Sequence, residues 1–417
     1  MAWHRGVIPE DSMAQHLNMS RTTIRNPAFR RLQRTENMKK TILAALLMPV
    51  LAVPAYAASN VTLYGVLDTG LGYEQWKGSD LKGGAEKQSR FGLYDQGWMG
   101  NRWGLMGSED LGDGLKANFM LESGFDLSDG NTRQNRLFGR QATLGLSGDS
   151  WGRVDLGRQT TITSLYVAGV ASPFGGNGYQ YGVGAAFDSA NTVRYDNMLA
   201  YQSPEFSGFQ FGAGYSFNTN GTQKWNRSGL TGNAINSDEA NVKAFTVAMR
   251  YTNGPLKAAL SFDQARYGSA REQGGNLVAA DNGNVSAWNL AASYKFSFAT
   301  VHAAFGQSRN GYIGGSLQTE QFGPGLHKDL KVNTYALGVT VPTGKAGSVL
   351  ASWTMADPRS TPRSTDDAKT QHVFSAGYLH NLSKRTNLYA IGSYARNIGY
   401  YSDLKSTVAT VGITHRF

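Results

Sequence analysis

The sequence predicts an all-β fold, a sixteen-stranded antiparallel transmembrane β-barrel. Three observations predict it. Apolar and polar residues alternate with period two in about sixteen stretches. The connections between those stretches alternate between short turns and long polar loops. The chain also carries an export-type leader near one end and an aromatic residue closing an alternating strand at the other.

The leader is read from Met38. Met38-Lys39-Lys40 is a short basic start, and an apolar run from Ile42 to Val53 follows, broken only by Pro49. Ala55-Tyr56-Ala57 then supplies the small-x-small pattern of a cleavage site. The run is too short and wrongly flanked for a spanning helix, and a buried amphipathic helix fits it less well. Residues 1–37 are basic and polar without apolar periodicity, and are read as an upstream extension, with translation starting at Met38. The expected organisation is therefore 1–37 extension, 38–57 signal peptide and 58–417 barrel.

Removing 1–57 changes the charge. That segment holds eight Lys/Arg and three Asp/Glu, so the basic residues fall from 40 to 32 and the acidic from 30 to 27, and the formal charge from +10 to about +5. A nucleic-acid partner loses its electrostatic support, and none is expected. The sequence has 51 Gly and no Cys, so an exported form is held by hydrogen bonds and packing alone. Its negative mean hydropathy does not oppose membrane insertion, because a barrel strand presents its lipid face only at every second residue.

The strand candidates start near Val61, Asn101, Leu115, Phe138, Arg153, Asn191, Phe209, Val242, Leu256, Val285, Thr300, Leu330, Ser348, Gln371, Arg385 and Ser406. In the first, Val61, Leu63, Gly65 and Leu67 share one face and Thr62, Tyr64, Val66 and Asp68 the other. In the last, Ala409, Val411, Ile413, His415 and Phe417 oppose Thr410, Gly412, Thr414 and Arg416. Long polar connections are read at 74–100, 126–136, 160–190, 218–241, 268–284, 309–329 and 358–370. Sixteen strands matter because a barrel of that size leaves an aqueous channel, whereas about eight strands fill their interior with side chains.

Stretches of the chain resemble, in order, the general porins of β-proteobacteria, of the Neisseria and Burkholderia/Comamonas type. They are VTLYGVLD at 61–68, RWGLMGSEDLGDGLKA at 102–117, ESGF at 122–125, RQATLGLSG at 140–148, LGRQ at 156–159, RYDN at 194–197, YQSPEFSGF at 201–209 and LSKRTNLY at 382–389. The resemblance implies an outer-membrane porin passing small hydrophilic solutes and ions, a homotrimer, and a third long loop folded into the barrel. That loop is 160–190, with Pro173, Phe174, Gly175 and Gly176 as its turning point. It implies a pore constriction of Arg102, Arg140 and Arg194 with an acid at Glu122. Alternation turns Arg102 inward and leaves Arg140 undecided. Phe417 resembles the terminal signal read by the barrel-assembly machinery, and lipid and lipopolysaccharide are the expected surroundings. Two departures stand out. Met106 occupies a position often basic in the family, and 160–190 holds one carboxylate, Asp188. The expected balance is a weak anion preference.

Other classes find little support. The exported part has five histidines, His302, His327, His372, His380 and His415, and no GxSxG or HExxH pattern. The histidines are read as rim or interface residues, with no catalytic residue, metal or cofactor expected. A plugged receptor would need a further domain, and a soluble secreted β-protein has no reason to sort its loops by length. Tyr64, Phe125, Phe138, Tyr201, Phe209, Tyr294, Phe296, Tyr389 and Tyr394 are candidates for interfacial aromatic girdles.

Overall fold

The computed structural model describes residues 60–78, 87–225, 237–273, 276–315, 317–320, 323–362 and 368–417. The leader expected at 38–57 and the extension at 1–37 lie outside the described residues.

The alternating stretches form strands. In chain order they are β1 (Asn60–Lys77), β2 (Lys87–Leu93), β3 (Arg102–Gly112), β4 (Leu115–Gly124), β5 (Gln141–Gly148), β6 (Gly152–Thr160), β7 (Arg194–Gln202), β8 (Phe209–Ser216), β9 (Lys243–Asn253) and β10 (Leu256–Tyr267). After a small separate hairpin, β11 (Ala270–Gln273) and β12 (Asn276–Ala279), come β13 (Gly283–Lys295), β14 (Thr300–Tyr312), β15 (Gly325–Thr343), β16 (Gly347–Ser360), β17 (Gln371–Asn381), β18 (Thr386–Arg396) and β19 (Lys405–Arg416). Each pairs antiparallel with its neighbour, and β1 closes the sheet onto β19, from Val66 opposite Arg416 to Lys77 opposite Lys405.

The closed barrel has sixteen strand positions, because β2 and β3 share one. β2 pairs with β1 at Leu71–Lys77, β3 pairs with β1 at Asn60–Val66, and residues 94–101 leave the sheet between them. The reading of 74–100 as a plain loop missed this: the Lys87–Leu93 strand returns to the barrel wall before the excursion. Three strand starts also shift. β5 begins at Gln141 rather than near Phe138, β7 at Arg194 rather than near Asn191, and β15 at Gly325 rather than near Leu330.

The two faces of the sheet differ as the alternation requires. One face exposes large apolar side chains, among them Val61, Leu63, Leu144, Leu156, Leu290, Leu337 and Val411. The opposite face carries polar and small residues, among them Asp68, Thr143, Thr246, Asn289, Thr354, Ser393 and Thr414, all buried. A globular protein in water would bury the first set, so the exposed apolar face is a surface for lipid or another barrel.

Aromatic residues gather at one rim, beside the short turns. Tyr201, Phe206, Phe209, Phe211 and Tyr251 lie around the 203–208 turn, with Phe209 and Tyr251 ring centroids 4.4 Å apart. Tyr294, Phe296 and Phe298 form a second group, with centroids 4.6 and 5.8 Å apart. Two girdle candidates do not belong there. Tyr64 and Tyr389 point to the polar face, where their hydroxyls donate to Glu122 and Asp68. His302 likewise departs from the rim reading, being buried with Nδ1 3.0 Å from the Val170 carbonyl oxygen.

Asp68 ties the closure together. It is fully buried, and its carboxylate accepts from Thr414 Oγ1 at 2.5 Å, Tyr389 Oη at 2.9 Å, Met99 N at 2.9 Å and Trp98 N at 3.2 Å. Its own N–H donates to Asn101 Oδ1 at 2.5 Å. One side chain thus joins β1, β18, β19 and the 94–101 excursion. Asp68→Ala is expected to strand four donors; at about 1–3 kcal/mol for each buried unpaired donor, with partial relaxation, the loss is roughly 4 kcal/mol. Urea titration of the protein in lipid vesicles measures it, and an unchanged midpoint rejects this role for Asp68.

Candidate functional site

The four polar residues singled out by sequence come together. Arg102 opens β3 opposite Val66, on the face that holds Tyr64 and Asp68. Gly104 stands between Tyr64 on β1 and Glu122 on β4, in register with both. Having no side chain, it leaves room for the Tyr64 hydroxyl to reach across it to Glu122 Oε2 at 2.9 Å; a Cβ there would lie 2.8 Å from that hydroxyl. Glu122 Oε1 accepts from Arg140 Nε at 2.6 Å, and Arg102 Nε stands 3.6 Å from Oε2.

Arg140 precedes β5, so strand alternation does not govern it. Its N–H donates to the Glu122 carbonyl at 3.1 Å, and its side chain turns to the same residue's carboxylate. Arg194 opens β7. It donates to the Thr192 carbonyl at 3.4 Å, and among the described residues no carboxylate lies within ion-pair distance of it.

The long connection between β6 and β7 is built differently from the loop the sequence suggested. It starts with a short helix, α1 (Ile162–Ala171), capped by the Thr161 hydroxyl, which accepts from Ser164 N at 3.3 Å. The helix carries no charged residue and is buried nearly all round. The connection is pinned to the polar face of strands far apart in sequence. Thr163 N donates to Thr246 on β9, Asn289 on β13 donates to Ser189, Gln371 on β17 donates to the Ala185 carbonyl at 2.6 Å, and Gln180 donates to Ser393 on β18 at 3.0 Å. Phe174 is wholly buried with Trp98, Tyr181, Leu350, Tyr389 and Ile391. Pro173, Gly175 and Gly176 surround it in the turn.

An opening of about 500 Å³ remains between this connection and the wall. Arg102, Arg140 and Arg194 line it from the wall, and Gly176, Asn177, Gly178, Tyr179, Tyr181 and Thr192 from the connection. Two further arginines and two aspartates complete it, Arg90, Arg133, Asp95 and Asp126. Arg133 is paired with Asp126 at 2.6 Å and Arg90 with Glu74 at 2.7 Å. Among the described residues Glu122 is the only carboxylate within ion-pair distance of the trio, so this part of the wall carries excess positive charge. The connection adds no negative charge there, since Asp188 is 1 % exposed and bonded to Ser308 Oγ at 2.6 Å and Ile313 N at 2.7 Å.

Sequence reasoning missed Arg90, Arg133 and the neighbouring Arg158. A bulge at Gly157, whose φ of 125° suits glycine, shifts the β6 register, and Arg158 then donates to Asp196 at 2.6 Å and to the Gly139 carbonyl at 2.7 Å. LGRQ at 156–159 contained that signal without its meaning. Phe417 lies away from this opening: its backbone pairs with Gly65 at 3.1 and 3.2 Å, and its ring is 44 % exposed on the apolar face.

Comparison with known proteins points one way. The profile of the Gram-negative porin family matches residues 43–399. An outer membrane porin protein of Bordetella pertussis is 44 % identical over 401 residues, covering 91 % of this chain and all of the relative. Outer membrane porin protein 32 of Delftia acidovorans is 32 % identical over 403 residues with the same coverage. Among solved structures, the anion-selective porin from Comamonas acidovorans superposes with a TM-score of 0.64 at 30 % identity, over 86 % of this chain and all of that one.

The packing of Phe174 sets an expectation that needs no relative. Its ring meets Trp98 edge-on at 6.2 Å and Tyr181 at 5.7 Å. Phe174→Ala removes about 3–5 kcal/mol of packing from the contact between connection and wall. Amide exchange within 161–193 is expected to rise on the order of a hundredfold while the strands stay protected. Equal protection in both proteins rejects Phe174 as the anchor.

Proposed function

Because this chain belongs to the Gram-negative porin family, we propose that Arg102, Arg140 and Arg194 form the constriction of its pore and give it a weak preference for anions. The protein is an outer-membrane porin, a β-barrel channel for small hydrophilic solutes and ions, and not an enzyme. The observation that carries the proposal is the charge balance at the opening, five lining arginines against Asp95, Asp126 and the arginine-paired Glu122 and Glu74, with no acid from the connection and no carboxylate within ion-pair distance of Arg194 among the described residues. Guanidinium groups stay charged at all working pH values, and low-dielectric walls strengthen the field they impose on ions between them.

In this reading the connection 160–190, with Pro173, Phe174, Gly175 and Gly176 at its turn, folds into the bore and narrows it. Its hydrogen bonds to β9, β13, β17 and β18 support this, since a segment of that length reaches all four most directly across the interior. A homotrimer is proposed on the resemblance and on the exposed apolar side chains near the seam, Val61 and Leu63 on β1, Phe91 and Leu93 on β2, and Val411 on β19. The remaining outer face meets lipid and lipopolysaccharide, and Phe417 presents its ring to the assembly machinery. Residues 38–57 act as the leader, and N-terminal sequencing of the protein from outer membranes is expected to begin at Ala58; a start within 1–37 rejects that reading.

Planar-bilayer recording in a potassium chloride gradient tests the selectivity. Opening steps grouped in threes and a reversal potential on the anion side are expected. Arg102→Gln and Arg194→Gln should each lower the anion-to-cation permeability ratio by roughly two- to threefold, and Glu122→Gln should raise it by a similar factor. A cation-selective wild-type pore, or variants that leave the ratio unchanged, rejects the arginine trio as the selecting element.

A further inference from the structure

The contact between α1 and the barrel wall encloses an acid that the arginine-lined opening does not use. Asp263 of β10 is fully buried, directly opposite Thr246 of β9. Among the described residues no base lies within ion-pair distance of it, and neither carboxylate oxygen is met by a donor in hydrogen-bonding geometry. The hydroxyls of Thr163 on α1, Ser189 near the end of the connection and Thr246 on the wall surround it. The Tyr195 hydroxyl of β7, within its electrostatic reach, is likewise buried without a partner among the described residues.

The oxygens around Asp263 are held from several elements. Thr163 N donates to Thr246 Oγ1 at 3.2 Å, and the two threonine hydroxyl oxygens stand 3.4 Å apart. Asn289 Nδ2 donates to Ser189 Oγ at 2.9 Å and to Ser261 Oγ at 3.1 Å, which ties the Ser189 oxygen to the wall. The nearby Asp188 spends its carboxylate elsewhere, on Ser308 Oγ and Ile313 N. None of Asp263, Thr163, Thr246, Ser189 and Tyr195 lines the arginine opening.

A lone carboxylate taken out of water is strongly disfavoured, and buried charges persist where they are paired or coordinate a metal ion. The surroundings here are hard oxygens, two from Asp263 and one each from Thr163, Thr246, Ser189 and Tyr195, the donor type that hard cations take. Calcium favours sites with several carboxylates, whereas this group of oxygens carries one negative charge. We propose that Asp263 and its surrounding hydroxyls hold one sodium ion between the connection and the barrel wall. A single positive charge makes the buried group neutral. Its ligands come from both sides of the contact, Thr163 and Ser189 from the connection and Asp263, Thr246 and Tyr195 from the wall. The ion is therefore a clasp that tightens the docking of 161–193.

The test uses the full protein purified from outer membranes, in lipid vesicles, and compares sodium chloride with N-methyl-D-glucamine chloride at equal ionic strength. The readout is amide exchange within 161–193. A site half-filled at about 3 mM slows that exchange about thirtyfold in about 0.1 M sodium, because only the docked form binds the ion. Asp263→Asn keeps the shape and removes the charge, and should abolish the sodium dependence. Thr163→Val removes one ligand from α1 and should raise the half-effective sodium concentration about tenfold. Strand amides that stay protected establish that each variant is folded. Equal exchange of the wild type in the two salts overturns the proposal, the result expected if Asp263 carries a proton instead of facing an ion. Sodium dependence that persists in Asp263→Asn overturns it as well. The ion selectivity of the pore plays no part in this readout, so the clasp and the anion preference can fail separately.

Discussion

Closure of β1 onto β19 is the constraint on which the rest of this structure depends. In a hydrocarbon layer an open sheet edge leaves a row of backbone N–H and C=O groups without partners, each costing several kcal/mol. The two terminal strands of the barrel must therefore meet in one register, Val66 opposite Arg416 through Lys77 opposite Lys405. The Asp68 carboxylate of β1 stands at that seam and is bonded across it by Thr414 of β19 and Tyr389 of β18. Because the same carboxylate also receives the backbone of Trp98 and Met99, seam and excursion are a single hydrogen-bonded unit.

From that unit the order spreads to the site. Trp98 meets Phe174, and Tyr181 donates to the Gly97 carbonyl, so the excursion that Asp68 holds is also a footing for the connection after β6. The connection in turn forms one side of the arginine-lined opening. Glu122 plays the matching part on the wall. By accepting from Tyr64, Arg140 and, at longer range, Arg102, it separates charges that would otherwise repel and leaves a net positive surface. Such a cluster is tolerable only where water reaches it; a dry core would require a partner for each charge.

Much of the strand order was legible. Starts near Leu115, Phe209, Leu256, Thr300 and Gln371 coincide with the strands, because one face of each must carry apolar groups outward at every second residue. The legibility failed where that periodicity lapses. Lys87–Leu93 was read as loop because polar and charged residues begin it. The helix Ile162–Ala171 reads as loop because its apolar side chains, Leu165 apart, are covered all round and leave no amphipathic stripe. Arg140 could not be assigned because it precedes its strand.

The sequence by itself determined the barrel, its strand number and its outward face, since period two and loop length are local properties of the chain. The motifs also placed Arg102, Arg140, Arg194 and Glu122 on a common list. Only the tertiary structure decided that Asp68 is shared by β1, β18 and β19, that Arg158 belongs to Asp196, and that the Arg250 guanidinium rests on the Tyr166 ring. Those facts join residues from 38 to 346 positions apart. Their physical cause is the closure of the sheet, which brings together side chains that no local pattern relates.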